Sequence, residues 1–189
     1  VGTRCTDTKR VQAIIGEKVL TSEINDVLTP TPEFYIGRYP VTVAQFKTFV
    51  HATQYDIGDS AALCDADNRP VRWVSCVDAL AYCAWLNEML SNSCALSSSV
   101  AASLVRDGNW HVTLPNDQEW ENAARGALRY AVFSWGDTPD PERTNGLESN
   151  INDTSTVGCF PANCFGLYDM IGNVSEWTYW SPEGTAYAL

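Results

Sequence analysis

The sequence predicts one α+β domain of low regular secondary structure, with two to three helices, short antiparallel strands and a long irregular C-terminal part. Three observations predict it. Helix-spaced apolar residues with capping side chains recur near residues 43, 75 and 116. One β-branched and aromatic run, FYIGRYPVT, stands at Phe34 to Thr42. From Leu128 onward the chain is rich in Trp, Gly, Asn and Pro and keeps no sustained period. At 189 residues, 45% hydrophobic and 19% charged, the chain has the size and composition of one globular domain.

The elements follow in order. Val11 to Leu20 is amphipathic and reads equally as strand or helix. Pro30 and Pro32 break regular structure, which puts a boundary between an N-terminal extension or leading strands (1–29) and the main domain (30–189). The strand that opens at Phe34 ends at Pro40. A helix runs from Val43 to His51, capped by Thr42, with Val43, Phe46, Phe49 and Val50 on one face. Residues 53–71 read as loop. A second helix starts after Ser75, whose capping partner is Asp78. The Ser/Ala-rich stretch 91–104 reads as a loop or insertion. The third helix is bounded by Asn116, with Glu119 three residues on, and by Gly126. The seven tryptophans are large packing units whose indole N–H groups need acceptors, and irregular loops supply them.

Acidic residues number 23 against 12 Lys and Arg, a net charge of −11. That charge repels phosphate backbones and anionic membrane surfaces and favours cations, calcium above all. No run reaches the ~18 apolar residues of a membrane span. The first ten residues have no signal-peptide apolar core and no starting Met, which reads as a trimmed or processed chain. Seven cysteines (5, 64, 76, 83, 94, 159, 164) include no CxxC pair, and only His51 and His111 accompany them, so a structural zinc site is disfavoured. Buried thiols and one or two disulfides both remain open; the odd count leaves one thiol free or paired outside the chain.

Five phrases then stand in a fixed order: FYIGRYPVTVAQFKTF (34–49), PVRWVSCVDALAYCAWLN (70–87), VTLPNDQEWENAARG (112–126), FSWGD (133–137) and VGCFPANCFGLYDMIGNVSEWT (157–178). Together they resemble the formylglycine-generating enzyme family, the sulfatase-modifying-factor domain, over roughly residues 30–180. The resemblance implies an elaborated C-type-lectin-like fold. It also implies a copper- and O2-dependent oxidase that converts a sulfatase cysteine to formylglycine with two active-site cysteines. In the family that pair lies downstream of the GNVWEWT phrase. None of the seven cysteines here matches it, and against the family pattern the domain reads as truncated at its C-terminus. Strand edges and apolar surface would then be exposed. Cys83 matches a cysteine that in some members forms a structural disulfide. Cys76 and Ser175 stand where the family has Trp; Cys159 and Cys164 have no counterpart.

The resemblance also implies calcium. Its ligand positions fall on Asp169, Gly172, Val174 and Glu176, two carboxylates and two backbone carbonyls in a glycine-containing loop, which is hard-oxygen chemistry suited to that ion. The alternative is that Asp169 and Glu176 cap turns and pair with Arg. A second family site uses an NI pair, matched by Asn150 and Ile151, without the insertion that carries its other ligands. Glu119 and Glu121 sit two apart on a helix and so face apart; a cap and a solvated face account for them. Arg125 reads as a structural ion-pair or carbonyl partner. His51 suits a helix C-terminus, and His111 reads as a surface or satisfied strand histidine. No GxSxG phrase or phosphate-cradling glycine loop is present.

Function divides accordingly. A calcium-stabilised binding domain for a protein or small-molecule ligand, like the variable proteins of diversity-generating retroelements, needs no catalytic cysteines. The copper oxidase needs a longer parent protein. The related iron-dependent sulfoxide synthases need more histidines than two. A recognition module fused to a kinase or protease is the third class.

Overall fold

The computed structural model describes residues 9–11, 16–19, 32–92, 99–106, 110–126, 131–180 and 185–188. Six short strands and four α-helices are present among them. The strands are β1 (Lys9–Val11), β2 (Gly16–Val19), β3 (Phe34–Gly37), β4 (Trp110–Val112), β5 (Trp177–Trp180) and β6 (Thr185–Ala188). The helices are α1 (Val43–Thr53), α2 (Cys76–Asn92), α3 (Val100–Arg106) and α4 (Asp117–Arg125). No helix among the described residues is long and apolar enough to cross a membrane.

The open reading of Val11 to Leu20 resolves, where it is described, as strand. β1 and β2 join β3 and β4 in a four-stranded sheet of order β2-β3-β1-β4. The sheet is mixed. β2 pairs antiparallel with β3, whereas β1 runs parallel to both β3 and β4, with Val11 opposite Tyr35 and Val112. The short antiparallel strands expected from the sequence are found in the pair β2-β3 and in the hairpin β5-β6, and β1 adds parallel pairs. Parallel pairing needs a long connection: β2 lies between β1 and β3 along the chain, and α1, α2 and α3 lie between β3 and β4.

The caps lie where the sequence puts them. Thr42 accepts from the Gln45 amide while the Gln45 side chain accepts from the Thr42 amide, a full capping box. Asn116 and Glu119 form the same reciprocal pair at α4. At α2 the Asp78 carboxylate accepts from both the amide and the hydroxyl of Ser75. Helix α1 runs two residues past His51 and ends at Gln54, whose φ of 54° is left-handed. The stretch 91–104 is corrected in part: α2 runs into it as far as Asn92, and α3 begins in it at Val100. Ser99 heads α3, and Ala101, Ala102 and Val105 are buried against α2 and β4, so packing overrides weak sequence signals.

Two apolar clusters flank the sheet. Phe46, Phe49, Tyr82, Leu86, Leu90 and Trp110 knit α1, α2 and β4 together. Phe34, Ile36, Ala123, Ala124, Leu167 and Met170 join β3 and α4 to the irregular tail. Each large side chain buried there contributes roughly 1.5–3 kcal/mol.

The tail is held by side chains on backbone. Asn163 donates to the Ala123 carbonyl at 2.7 Å and accepts from the Phe165 and Leu167 amides. Arg69 and Arg72 both reach Asp153, at 2.6 and 3.0 Å. Three indoles donate to acceptors: Trp177 to the Val74 carbonyl, Trp135 to the Thr138 carbonyl and Trp120 to Glu176. Such partners replace the ladder bonds that an irregular segment lacks.

Candidate functional site

The expected calcium loop follows the buried residue Leu167 and runs to the first residue of β5. Its backbone is bent by three left-handed residues, Asp169 (φ 55°), Gly172 (φ 82°) and Asn173 (φ 65°). The bend is fastened from outside. Asn173 donates its amide to the Asn145 carbonyl at 2.9 Å, and its side-chain oxygen accepts from the Ser155 amide at 2.8 Å. Thr144 donates its hydroxyl to the Ile171 carbonyl.

Asp169 is buried, and its Oδ2 accepts from the Gly158 amide at 2.6 Å. Burial pushes its carboxyl up, against the opposing pull of the Gly158 and Asn173 hydrogen bonds. Glu176 accepts from the Trp120 indole at 3.2 Å. Burial of its carboxyl pushes it up to about 7; the indole bond works the other way, and the charge of Asp169 adds to the rise. The two acids are thus near enough to repel each other. Neither makes an ion pair with an arginine among the described residues. The Gly172 carbonyl accepts from the Val174 amide at 2.9 Å.

These donors fit a hard cation in kind. Two acids stand on one loop without an ion-pair partner among the described residues, and the carbonyls of Gly172 and Val174 lie on the segment between them. No group of three Asp, Glu, His or Cys side chains gathers anywhere among the described residues, so calcium here would need backbone carbonyls or water to complete its shell. Asn150 and Ile151 lie elsewhere. Asn150 closes a single turn of 3-10 helix (Leu147–Ser149) with φ 56°, and its side-chain amide donates to the Glu148 carbonyl. Ile151 is exposed.

The remaining candidates have structural roles. Glu119 is buried and serves the α4 cap, while Glu121 pairs with Arg125 at 2.7 Å. Arg125 also donates to the Ala131 carbonyl. His51 stands in the last turn of α1. Cys64 and Cys159 are exposed free thiols, Cys76 is a half-buried one, and Cys83 is buried; Cys5 and Cys94 lie outside the described residues. Burial pushes the Cys83 thiol up to about 12, so it stays protonated at neutral pH.

Sequence reasoning missed a cavity of about 150 Å3 between α2, the end of β3, residues 113–115 and the 168–177 segment. Phe46, Tyr82, Cys83, Met170 and Trp177 line it, and Glu176 is its charged lining residue. No local pattern announces it, because its walls come from widely separated stretches of chain.

The family model for the sulfatase-modifying factor enzyme 1-like domain matches residues 16–184. The chain is 37% identical over 120 residues to the inactive C-alpha-formylglycine-generating enzyme 2 of Bos taurus, covering 58% of this chain and 32% of that protein. It is 34% identical over 190 residues to the formylglycine-generating enzyme of Mycobacterium tuberculosis, covering 77% and 62%. It is 28% identical over 207 residues to the chaperone protein LppX of Paenibacillus barcinonensis, covering 89% and 71%. The chain thus spans about a third of the length of the inactive enzyme. In fold it is similar to CarF, with a TM-score of 0.61 at 22% identity over 92% of this chain and 82% of that one.

Proposed function

Since the chain belongs to the sulfatase-modifying factor enzyme 1-like family, we propose that it is a calcium-stabilised ligand- or partner-binding domain that works without the family's catalytic cysteine pair. The observation that carries this reading is the Asp169–Glu176 pair: a buried carboxyl and, on a half-buried residue, a second one whose ionisation Asp169 opposes, on one loop bent by left-handed residues, with neither ion-paired to an arginine among the described residues. A divalent ion supplies the missing charge. Asp169 and Glu176 would hold it with the carbonyls of Gly172 and Val174, and its chemistry is structural: it ties the tail to β5 and α4. Asn150 and Ile151 are a second, weaker candidate pair. Similarity to an inactive formylglycine-generating enzyme and to a chaperone supports a non-catalytic role for this domain. Variable proteins of diversity-generating retroelements are the analogous use of such a scaffold.

The test is calcium titration by calorimetry on the chelator-treated protein. Saturable binding that Glu176→Gln and Asp169→Asn weaken supports the reading; identical heats for all three proteins overturn it.

The alternative is a copper- and O2-dependent formylglycine-generating oxidase, favoured by the 34% identity to the mycobacterial enzyme. It requires a cysteine pair that none of the seven cysteines here matches. Copper binding and O2 uptake by the product of the full coding region decide between the two.

A further inference from the structure

The cavity between α2 and the 168–177 segment has a size, a lining and a charge pattern that together specify an occupant. Its volume is about 150 Å3. Apolar cavities of about that size stay dry and take up benzene. The lining is aromatic and aliphatic, including Phe46, Tyr82, Val74, Met170 and Trp177. A trapped water needs 2–4 polar partners, and such walls offer few. Among the described residues no Lys, Arg or His lines it and Glu176 is the one charged lining residue, so an anion finds no side-chain counter-charge among them. The lining runs from Phe46, 1% exposed, to Tyr39, 42% exposed, which gives the cavity a route to solvent. The walls are pinned rather than free to collapse. The Val71 amide donates to the Val41 carbonyl at 2.8 Å, and the Trp177 indole donates to the Val74 carbonyl at 3.0 Å.

We infer that this cavity is the binding site for a small uncharged ring compound, with an apolar body the size of one benzene ring. The inference rests on the binding-domain reading and names its ligand class.

The chain carries its own reporters. It has two methionines: Met170 lines the cavity and is buried, while Met89 lies on α2, 40% exposed and outside the lining. In protein labelled with 13C at the methionine methyls, toluene and benzyl alcohol should produce a saturable ring-current shift at Met170 and leave Met89 in place. The dissociation constants should be millimolar or tighter. With chelator present, benzoate should bind about tenfold more weakly or worse, because its carboxylate would be desolvated without a partner. Ala79→Phe and, as a second blocking variant, Thr113→Leu should abolish the shift while the far-ultraviolet circular dichroism stays native. A non-saturable shift, equal shifts at both methionines, or an undiminished response in both folded variants overturns the assignment.

Running the titration with excess calcium and with chelator separates the two proposals. Calcium binding without ring binding leaves the calcium-held domain standing and overturns the cavity assignment. Ring binding without any calcium response does the reverse.

Discussion

The Asn87 side chain pairs with the backbone of Val112 as a strand would: its Nδ2 donates to the Val112 carbonyl and its Oδ1 accepts from the Val112 amide, both at 2.8 Å. A helix residue thereby satisfies both polar groups of a residue in β4 that is itself 2% exposed. Removing the side chain leaves a buried donor and acceptor unmet, and each unmet group costs roughly 1–3 kcal/mol. Asn87→Ala should therefore destabilise the domain by about 2–4 kcal/mol in urea unfolding. Asn87→Asp should lose the donor and bring a buried charge, and so be no better. A cost within ~0.5 kcal/mol, the usual range for surface substitutions, would show that water replaces the clamp.

That clamp also marks where sequence reading stops. The caps at Thr42, Ser75 and Asn116 were legible because a cap and its partner lie within three residues of each other. Asn87 and Val112 are 25 residues apart and carry no joint pattern. Helix α3 was hidden for a related reason: Ser and Ala give weak periodicity, and α2 and β4 bury the helix only once they are in place. The Asp169–Glu176 loop was legible only as a phrase shared with a family. Its burial comes from Gly158 and Trp120, which nothing local connects to it. Trp73, with φ 62° and 60% of its surface exposed, is a left-handed aromatic residue that no propensity would place there.

Asp78 makes acid stability specific. Burial pushes this carboxyl up, yet the Ser75 hydroxyl and amide and the Tyr55 hydroxyl outweigh it and hold it below its ordinary value. Its contribution to stability is complete above the ordinary carboxylate value near 3.8 and is lost as pH falls through the lower value of the folded state. Asp78→Asn should cost about 1 kcal/mol at neutral pH, as cap losses do. It should also flatten the rise of stability with pH below that ordinary value. Parallel acid-unfolding curves for the two proteins would contradict this.

Under the proposed calcium binding, the ion and protons compete at Glu176. With chelator present, the raised carboxyl makes stability greatest below its ordinary value of 4.5 and loses it as pH climbs through about 7. The fall is at most about 3 kcal/mol. A bound calcium ion would take the place of the proton, so the gap in melting temperature between calcium and chelator should widen from pH 6 to pH 8, roughly the window in which this carboxyl ionises. Glu176→Gln should flatten both curves. A gap that stays constant with pH in the native protein would separate calcium from this residue.

Gly172 is the position where the loop tolerates no side chain. Its φ of 82° is left-handed, and a Cβ there would sit 2.5 Å from the Asn145 carbonyl oxygen and against the Thr144 hydroxyl as well. That carbonyl is already the acceptor for the Asn173 amide, so it cannot retreat without breaking the bond that fastens the bend. The left-handed backbone costs an alanine about 1–2 kcal/mol, and overpacking adds roughly 1–3 more. Gly172→Ala should thus destabilise by about 2–5 kcal/mol and lose the calcium response along with the loop geometry. Gly58→Ala is the matched control: nothing lies within 4 Å of its added Cβ, and its φ is outside the left-handed range. It should change stability by no more than ~0.5 kcal/mol. Equal urea midpoints for the two alanine variants would mean that the bend at Gly172 relaxes freely, and would leave Asp169 and Glu176 without the rigid loop that brings them together.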